Sequence, residues 1–245
     1  MKITSITNDT VKETAKLLSR KYRDESGMFL LEGEKCLEEA ILSGIEIVRI
    51  FSEEGIKDFC GIETIETTEA VLSKISSTTS APKIVGVGKQ RKPVWRKDFK
   101  KIVLLEGIKD AGNLGTILRT ACAFNIDAIM LYGETIDLYN PKCVRSSVGN
   151  LWKVPVFKIN NFEELKNLTE NFDERLATLP KSNKTIWLND YKPANKFLLL
   201  FGSEADGLSD ELKQYATKNI TIEMSSNVES LNSSMSAGII LYKLR

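Results

Sequence analysis

The chain has 245 residues, 42% of them hydrophobic and 27% charged, with 34 Lys and Arg against 33 Asp and Glu for a formal net charge of +1. Such a composition supports a packed globular core, and it excludes a polycation that holds nucleic acid through a global field; contacts of that kind must come from local basic clusters. Histidine is absent, which excludes a Ser-His-Asp triad, a Cys-His pair and a histidine metal site. A general base is then left to Asp, Glu, Lys, Tyr, Cys, an unusual Arg, or the substrate.

From Asn8 the pattern is helical, with Val11, Ala15 and Leu18 recurring at helical spacing on a charged background. Residues 29–31 read as a short buried strand and 34–42 as a helix stopped at Gly44. A strand over 45–51, a short helix over 68–75 and a strand over 84–87 follow. Composition then shifts. Residues 89–101 are basic and contain Pro93, which reads as the connection between two domains, a solvated linker in preference to a direct RNA contact. The second half restarts with a buried strand at 102–105, a helix at 113–124, a strand at 128–131 and a short helix at 141–148. Strands at 154–159 and 175–179 flank a helix at 162–172. An apolar strand at 197–201 ends in a glycine turn, and a helix at 209–215 carries Ser209 as N-cap with Asp210 and Glu211 in its first turn. A strand at 220–224 leads to a final helix from Ser230. This alternation predicts α/β layers around a mostly parallel sheet.

The cysteines, Cys36, Cys60, Cys122 and Cys143, form no C-x-x-C pair and no zinc spacing. Free thiols in a chain of this length point to a reducing compartment. No apolar run is long enough for a membrane span, and the first residues lack the apolar core of a signal peptide. The expectation is a cytoplasmic protein with no membrane and no metal.

Three segments carry chemistry. The first runs from Asn113 through Gly115 to Arg119, Thr120 and Ala121, after a strand and a turn holding Gly107 and Gly112. Ile117 and Ala121 can face a core, and Arg119 then sits beside a buried face. By itself such an arginine reads as one that snorkels to solvent or pairs with a carboxylate. The second segment is Phe201-Gly202-Ser203-Glu204-Ala205-Asp206-Gly207-Leu208, a strand end with two glycines and two carboxylates. Ligands in open α/β sheets bind at such ends. Glu204 and Asp206 suit a cation there, or Glu204 pairs with Arg119; a plain polar turn is the bland alternative. The third runs from Ile220 through Met224, Ser230, Leu231 and Asn232 to Ala237 and Gly238, a strand leading through a polar loop into a helix rich in small residues. A capped, well-packed C-terminal helix explains it equally well.

In order and joint content, the three segments resemble the signature motifs of the SpoU (TrmH) family of RNA ribose methyltransferases, within the SPOUT superfamily. The family pattern is roughly N-x-G-x-x-x-R-T-A, F-G-x-E-x-x-G-L, and I-x-M followed by S-L-N-x-S-x-A. The stretch from Asn140 to Asn150, with Val154-Pro155-Val156, is similar to the family segment between motifs one and two. Arg20-Lys21-Tyr22-Arg23 with Phe29 to Gly33 is similar to its small RNA-binding domain.

The resemblance implies an N-terminal α/β/α RNA-binding domain over 1–90, a basic linker over 91–100, and a C-terminal α/β-knot domain over 101–245 whose chain is threaded as a trefoil. It implies S-adenosylmethionine as cofactor, held mainly by backbone groups at Gly202, Ile222 and Leu231, with Leu200 and Met224 completing the set. Arg119 matches the catalytic arginine, a base in one view and a phosphate and alkoxide stabiliser in another. Asn113, Glu204, Ser230 and Asn232 match the polar residues around it, Glu204 to orient Arg119 and Asn232 to position the arginine or the ribose. The family usually has proline where this chain has Glu223. Arg20, Lys21, Arg23 and Arg145 are the expected RNA phosphate contacts. The expected substrate is RNA, ribosomal in preference to transfer RNA because of the appended N-terminal domain, and the expected assembly is a homodimer. Competing readings are a transfer RNA methyltransferase, a non-catalytic RNA-binding protein with this fold, and a dinucleotide-binding dehydrogenase; the last lacks its G-x-G-x-x-G fingerprint.

Overall fold

A computed structural model describes residues 2–55, 59, 61–203, 205–225 and 227–245. Its contacts divide the chain into two compact units, Met1–Lys92 with Asp137–Lys153, and Pro93–Ile136 with Val154–Arg245.

The first unit contains β1 (Lys2–Ile3), α1 (Asp9–Lys16), α2 (Arg20–Ser26), β2 (Met28–Glu32), α3 (Glu34–Leu42), β3 (Ile47–Ser52), β4 (Thr64–Thr67), α4 (Glu69–Lys74) and β5 (Ile84–Lys89). They form a five-stranded mixed sheet in the order β1-β4-β3-β5-β2, with β5 antiparallel to both neighbours. The sheet is held by apolar packing of Leu30, Phe51, Ile65 and Val85 against Val11 and Leu72 of the helices. Asn8 starts α1 by accepting the Thr10 N–H, as the polar residue before the periodic run requires.

The second unit contains β6 (Lys101–Glu106), α5 (Ala111–Ala123) and β7 (Ala128–Tyr132). The chain then leaves it for the first unit, where α6 (Pro141–Ser146) packs on β2. It returns with β8 (Val156–Ile159), α7 (Phe162–Thr169), β9 (Glu174–Thr178), β10 (Ile186–Trp187), β11 (Phe197–Phe201), α8 (Asp210–Tyr215), β12 (Lys218–Thr221) and α9 (Ser233–Leu244). The sheet is parallel throughout, in the order β10-β12-β9-β11-β6-β7-β8. Central β11 and β6 run as near-continuous apolar strands, because helices cover both faces of a parallel sheet. Every strand points the same way, so all its C-terminal ends, and the loops after them, share one edge.

Residues 137–153 belong by their contacts to the first unit. Three details depart from the sequence. Helix α2 had no apolar period to reveal it: its exposed turns carry Arg20 beside Asp24 and Lys21 beside Glu25. Strand pairing at 220–224 ends earlier, at Thr221, so Ile222 and Met224 lie on the following loop. The last helix begins at Ser233 with Asn232 as N-cap, leaving Ser230 outside it.

Candidate active site

The loops after β6 and β11 enclose a cleft of about 100 Å³ at the C-terminal edge of the parallel sheet. Its wall combines apolar Ile108, Ile117 and Phe201 with Glu106, Lys109 and Asp206. Gly202 is required by shape. A Cβ there would fall 2.0 Å from the Gly207 carbonyl carbon and 2.2 Å from the Leu208 nitrogen. The loop therefore folds tightly on itself, with Ser203 and Gly207 exchanging N–H to O bonds of 3.1 and 3.0 Å. Gly207 turns the chain at φ +69°. Asp206 is engaged within this turn through the Ser203 hydroxyl.

Motif one builds α5. Asp110 caps it by accepting the Asn113 N–H at 2.8 Å, and Leu114, Ile117, Leu118 and Ala121 are buried. Arg119 is exposed and makes no ion pair or hydrogen bond among the described residues. Motif three meets motif one. Asn232 Nδ2 donates to Asn113 Oδ1 at 3.1 Å, while Asn232 Oδ1 accepts the Ser234 N–H at 2.9 Å and the Ser234 hydroxyl at 2.6 Å. The capping role fixes which end of the Asn232 amide faces the helix, and the other end is thereby aimed at Asn113. The structure thus joins Asn113 to Asn232 and pairs neither with Arg119. The Glu204 assignment falls outside the described residues.

Among the expected cofactor residues, Gly202 lines the cleft. Ile222 and Leu231 are half-buried and Met224 is exposed, all on the segment between β12 and α9, outside the ladder. Glu223 is exposed there as well. Leu200 is fully buried in β11, paired with Leu104 and Ala177, and its side chain packs in the sheet core. Ser230 is exposed and does not start the helix.

The RNA-contact residues divide. Arg20 and Lys21 are exposed, with carboxylates at 3.6 and 3.9 Å. Arg23 is buried instead. Its side chain is 2% exposed, and its guanidinium is spent on Asp137 and on the carbonyls of Leu17 and Leu18 at the end of α1. Arg145 binds the buried Glu32 and donates to the Ser77 hydroxyl, so its charge is largely used within the first unit.

Sequence reasoning missed Glu106, Lys109 and Ser233 in the cleft wall. Glu106 ends β6, and the rule that ligands gather at strand C-termini would have singled it out. Its Oε2 accepts the Ser209 N–H at 2.8 Å, tying β6 to the end of the motif-two loop. Nearby, Tyr132 donates to Glu211 at 2.8 Å, and its phenol is pushed up to about 12 by burial, then by that bond and the charges of Glu211 and Glu106. Among the described residues no group of three or more acidic or cysteine side chains is placed to hold a metal, and no helix is long and apolar enough to cross a membrane.

A family model described as the SpoU rRNA Methylase family matches residues 100–242, and one described as the MRM3-like substrate binding domain matches residues 8–86. The chain is 31% identical to an uncharacterized tRNA/rRNA methyltransferase of Synechocystis, over 99% of this chain and 93% of that one. It is 30% identical to the 23S rRNA (guanosine(2553)-2′-O)-methyltransferase RlmP of Bacillus subtilis, over 99% and 98%. The AdoMet-bound rRNA methyltransferase of Sinorhizobium meliloti superposes with a TM-score of 0.88 at 28% identity, over 99% and 96% of the two chains. The SpoU methyltransferase AviRb of Streptomyces viridochromogenes, in complex with AdoMet, does so with a TM-score of 0.86 at 25% identity, over 96% of each. With its motif-one helix, its glycine-closed motif-two loop and its Asn113–Asn232 contact at one sheet edge, the chain belongs to the SpoU rRNA methylase family.

Proposed function

We propose that this chain methylates a ribose 2′-hydroxyl of ribosomal RNA, with S-adenosylmethionine as methyl donor. The observation that carries the reading is the Asn232–Asn113 contact, which closes motif three onto motif one within the unit that holds the motif-two cleft. The cleft fits the cofactor in kind. Apolar walls at Ile108, Ile117 and Phe201 suit an adenosyl group, and Gly202 lets the loop close on its own backbone at the edge of the cleft. Gly202, Ile222 and Leu231 are the residues to hold it by their backbone, with Met224 beside them.

The cofactor supplies a methyl group already activated on a sulfonium, which leaves alignment and electrostatics to the protein. Arg119 serves here as a fixed positive charge. A guanidinium is a poor general base, so the 2′-proton passes to water as the oxygen takes the methyl group and the donor leaves as a neutral thioether. It has no carboxylate neighbour among the described residues, so its charge is available to an RNA phosphate and to the alkoxide that develops on the 2′-oxygen. Asn113 and Asn232 position this helix against α9.

Ribosomal RNA is favoured because relatives such as the B. subtilis protein act on 23S rRNA and because a substrate-binding unit precedes the catalytic one. Arg20 and Lys21 remain in the reading as phosphate contacts. The reading places the chain in the cytoplasm, in line with free thiols at Cys36, Cys122 and Cys143. It keeps the knotted C-terminal path that the family resemblance implies. It also includes a homodimer, supported by an exposed apolar stripe of Met235, Ile239 and Tyr242 along α9.

The test is methyl transfer from labelled cofactor to ribosomal RNA that lacks the modification, followed by nuclease digestion. Label in a 2′-O-methylated nucleotide is the expected result. Label in transfer RNA alone would move the substrate, and a folded protein that labels no RNA would leave a binding protein.

A further inference from the structure

Resting on the reading above, we propose that Glu106 is a specificity-determining residue of the cofactor cleft, with one carboxylate oxygen anchoring the motif-two loop and the other making the cleft selective for a positively charged ligand. Three observations support this. Glu106 lines the cleft from the end of β6, half-buried, on the same wall as Gly107 and Ile108. Its Oε2 is fixed by the Ser209 N–H at 2.8 Å, which holds the side chain in place and aligns the residue that caps α8. Its Oε1 has no hydrogen bond or ion pair among the described residues.

The other charges among the described residues of the wall do not cancel it. Asp206 has the same sign and is turned into its own loop through Ser203. Lys109 is exposed, where water screens an ammonium strongly. An anchored carboxylate in a partly apolar cleft therefore presents negative charge without a reorganisation cost when ligand enters. The consequence is chemical. S-adenosylmethionine carries a sulfonium charge that S-adenosylhomocysteine, the product left after methyl transfer, has lost. A carboxylate here favours the donor over the spent product and assists exchange of one for the other after each turnover.

The experiment is calorimetric titration of the full chain with each compound, for wild type and Glu106→Gln. Glutamine keeps an oxygen for the Ser209 N–H and removes only the charge. The expected result is S-adenosylmethionine bound about five-fold more weakly by Glu106→Gln, with S-adenosylhomocysteine changed by less than about two-fold. Equal losses for both compounds, or no change in either, overturn the assignment. In wild type alone, preference for the charged compound should shrink as salt rises from about 0.05 to about 0.5 M, and a salt-independent ratio also overturns it whether or not the variant folds. Wild type that binds neither compound instead defeats the cofactor reading on which the assignment rests, and the assignment falls with it.

Discussion

Arg23 and Asp137 lie 114 positions apart in the chain, yet Arg23 Nε meets Asp137 Oδ2 at 2.6 Å with the arginine side chain 2% exposed. The first unit is therefore completed by a segment that the chain supplies only after β7. Phe29 packs on Tyr139 and Trp152 from that same segment, and Glu32 binds Arg145. Asp137→Ala leaves a buried guanidinium without its counter-charge, which costs about 3–5 kcal/mol. Hydrogen exchange at β2 and β5 should then rise far more than at β6 and β11. A fragment of residues 1–92 lacks all these partners and should show no cooperative thermal transition; a sharp one would mean that the 137–153 segment is dispensable.

The same pair shows what the sequence could reveal. Apolar periodicity made α1, α3, α5 and the central strands legible, because burial on one face leaves its period in the chain. Helix α2 left no such trace, and charged residues are almost never fully buried unless paired. Arg23 thus reads from sequence as a surface phosphate ligand, since its partner is not adjacent in the chain. Motif order located Asn113, Gly202 and Asn232, but order says nothing of distance, and Glu106 belongs to no motif. The shift of the last helix from Ser230 to Ser233 turned on which of two good capping residues won. Asn232 did, with an amide that serves the helix and Asn113 together.

Arg119 should be required for reaction and not for cofactor binding. Arg119→Ala removes an exposed charge that has no ion pair among the described residues, so stability should change by no more than about 0.5 kcal/mol. Methyl transfer should fall by about 10²–10³, the range typical of losing one electrostatic stabiliser. Arg119→Lys keeps the charge and loses the planar fork, and should lie between the two. Single-turnover rates on RNA, beside cofactor titrations, check this. Equal rates for wild type and Arg119→Ala would remove the residue from the mechanism.

The Asn113–Asn232 contact should appear as energetic coupling. Asn232→Ala deletes the α9 cap, about 1 kcal/mol, together with the bond to Asn113. Asn232→Asp keeps an acceptor for the Ser234 N–H but turns an oxygen toward Asn113 Oδ1. Aspartate should therefore preserve helix stability better than alanine while still reducing activity. A double-mutant cycle with Asn113→Ala should give an interaction of about 0.5–1.5 kcal/mol. Strict additivity would mean that the two motifs act independently.

Glu174 sets an acid limit on the second unit. Burial pushes its carboxyl up, but the Lys218 ammonium, the Tyr191 hydroxyl and the Ala194 N–H outweigh burial and leave it below its ordinary 4.5. A carboxyl lowered in the folded state stabilises fully above its unfolded value, and that contribution is lost as pH falls through the folded value. Stability should therefore decline below about pH 4.5, more steeply in wild type than in Glu174→Gln, which has no proton to gain. Glu174→Ala strands the Tyr191 hydroxyl and should cost about 1–3 kcal/mol at neutral pH. Denaturation of the three proteins from pH 3 to 7 measures both effects. Parallel pH profiles for wild type and glutamine would exclude Glu174 as the source.

The α9 stripe makes the oligomeric state testable. Met235, Ile239 and Tyr242 are 60%, 40% and 55% exposed and lie four and three residues apart, which places them on one helix face. The opposite face buries Ala237, Ile240 and Leu241. A helix apolar on both faces calls for two partners, and α5 is one of them. If a second copy of the chain is the other, Ile239→Glu should convert a dimer to a monomer in sedimentation while leaving helix content unchanged. Activity should fall with it, if the dimer is the working form. Wild type that sediments as a monomer at micromolar concentration and retains full activity would remove the dimer from the proposed function, and the stripe would then need another partner.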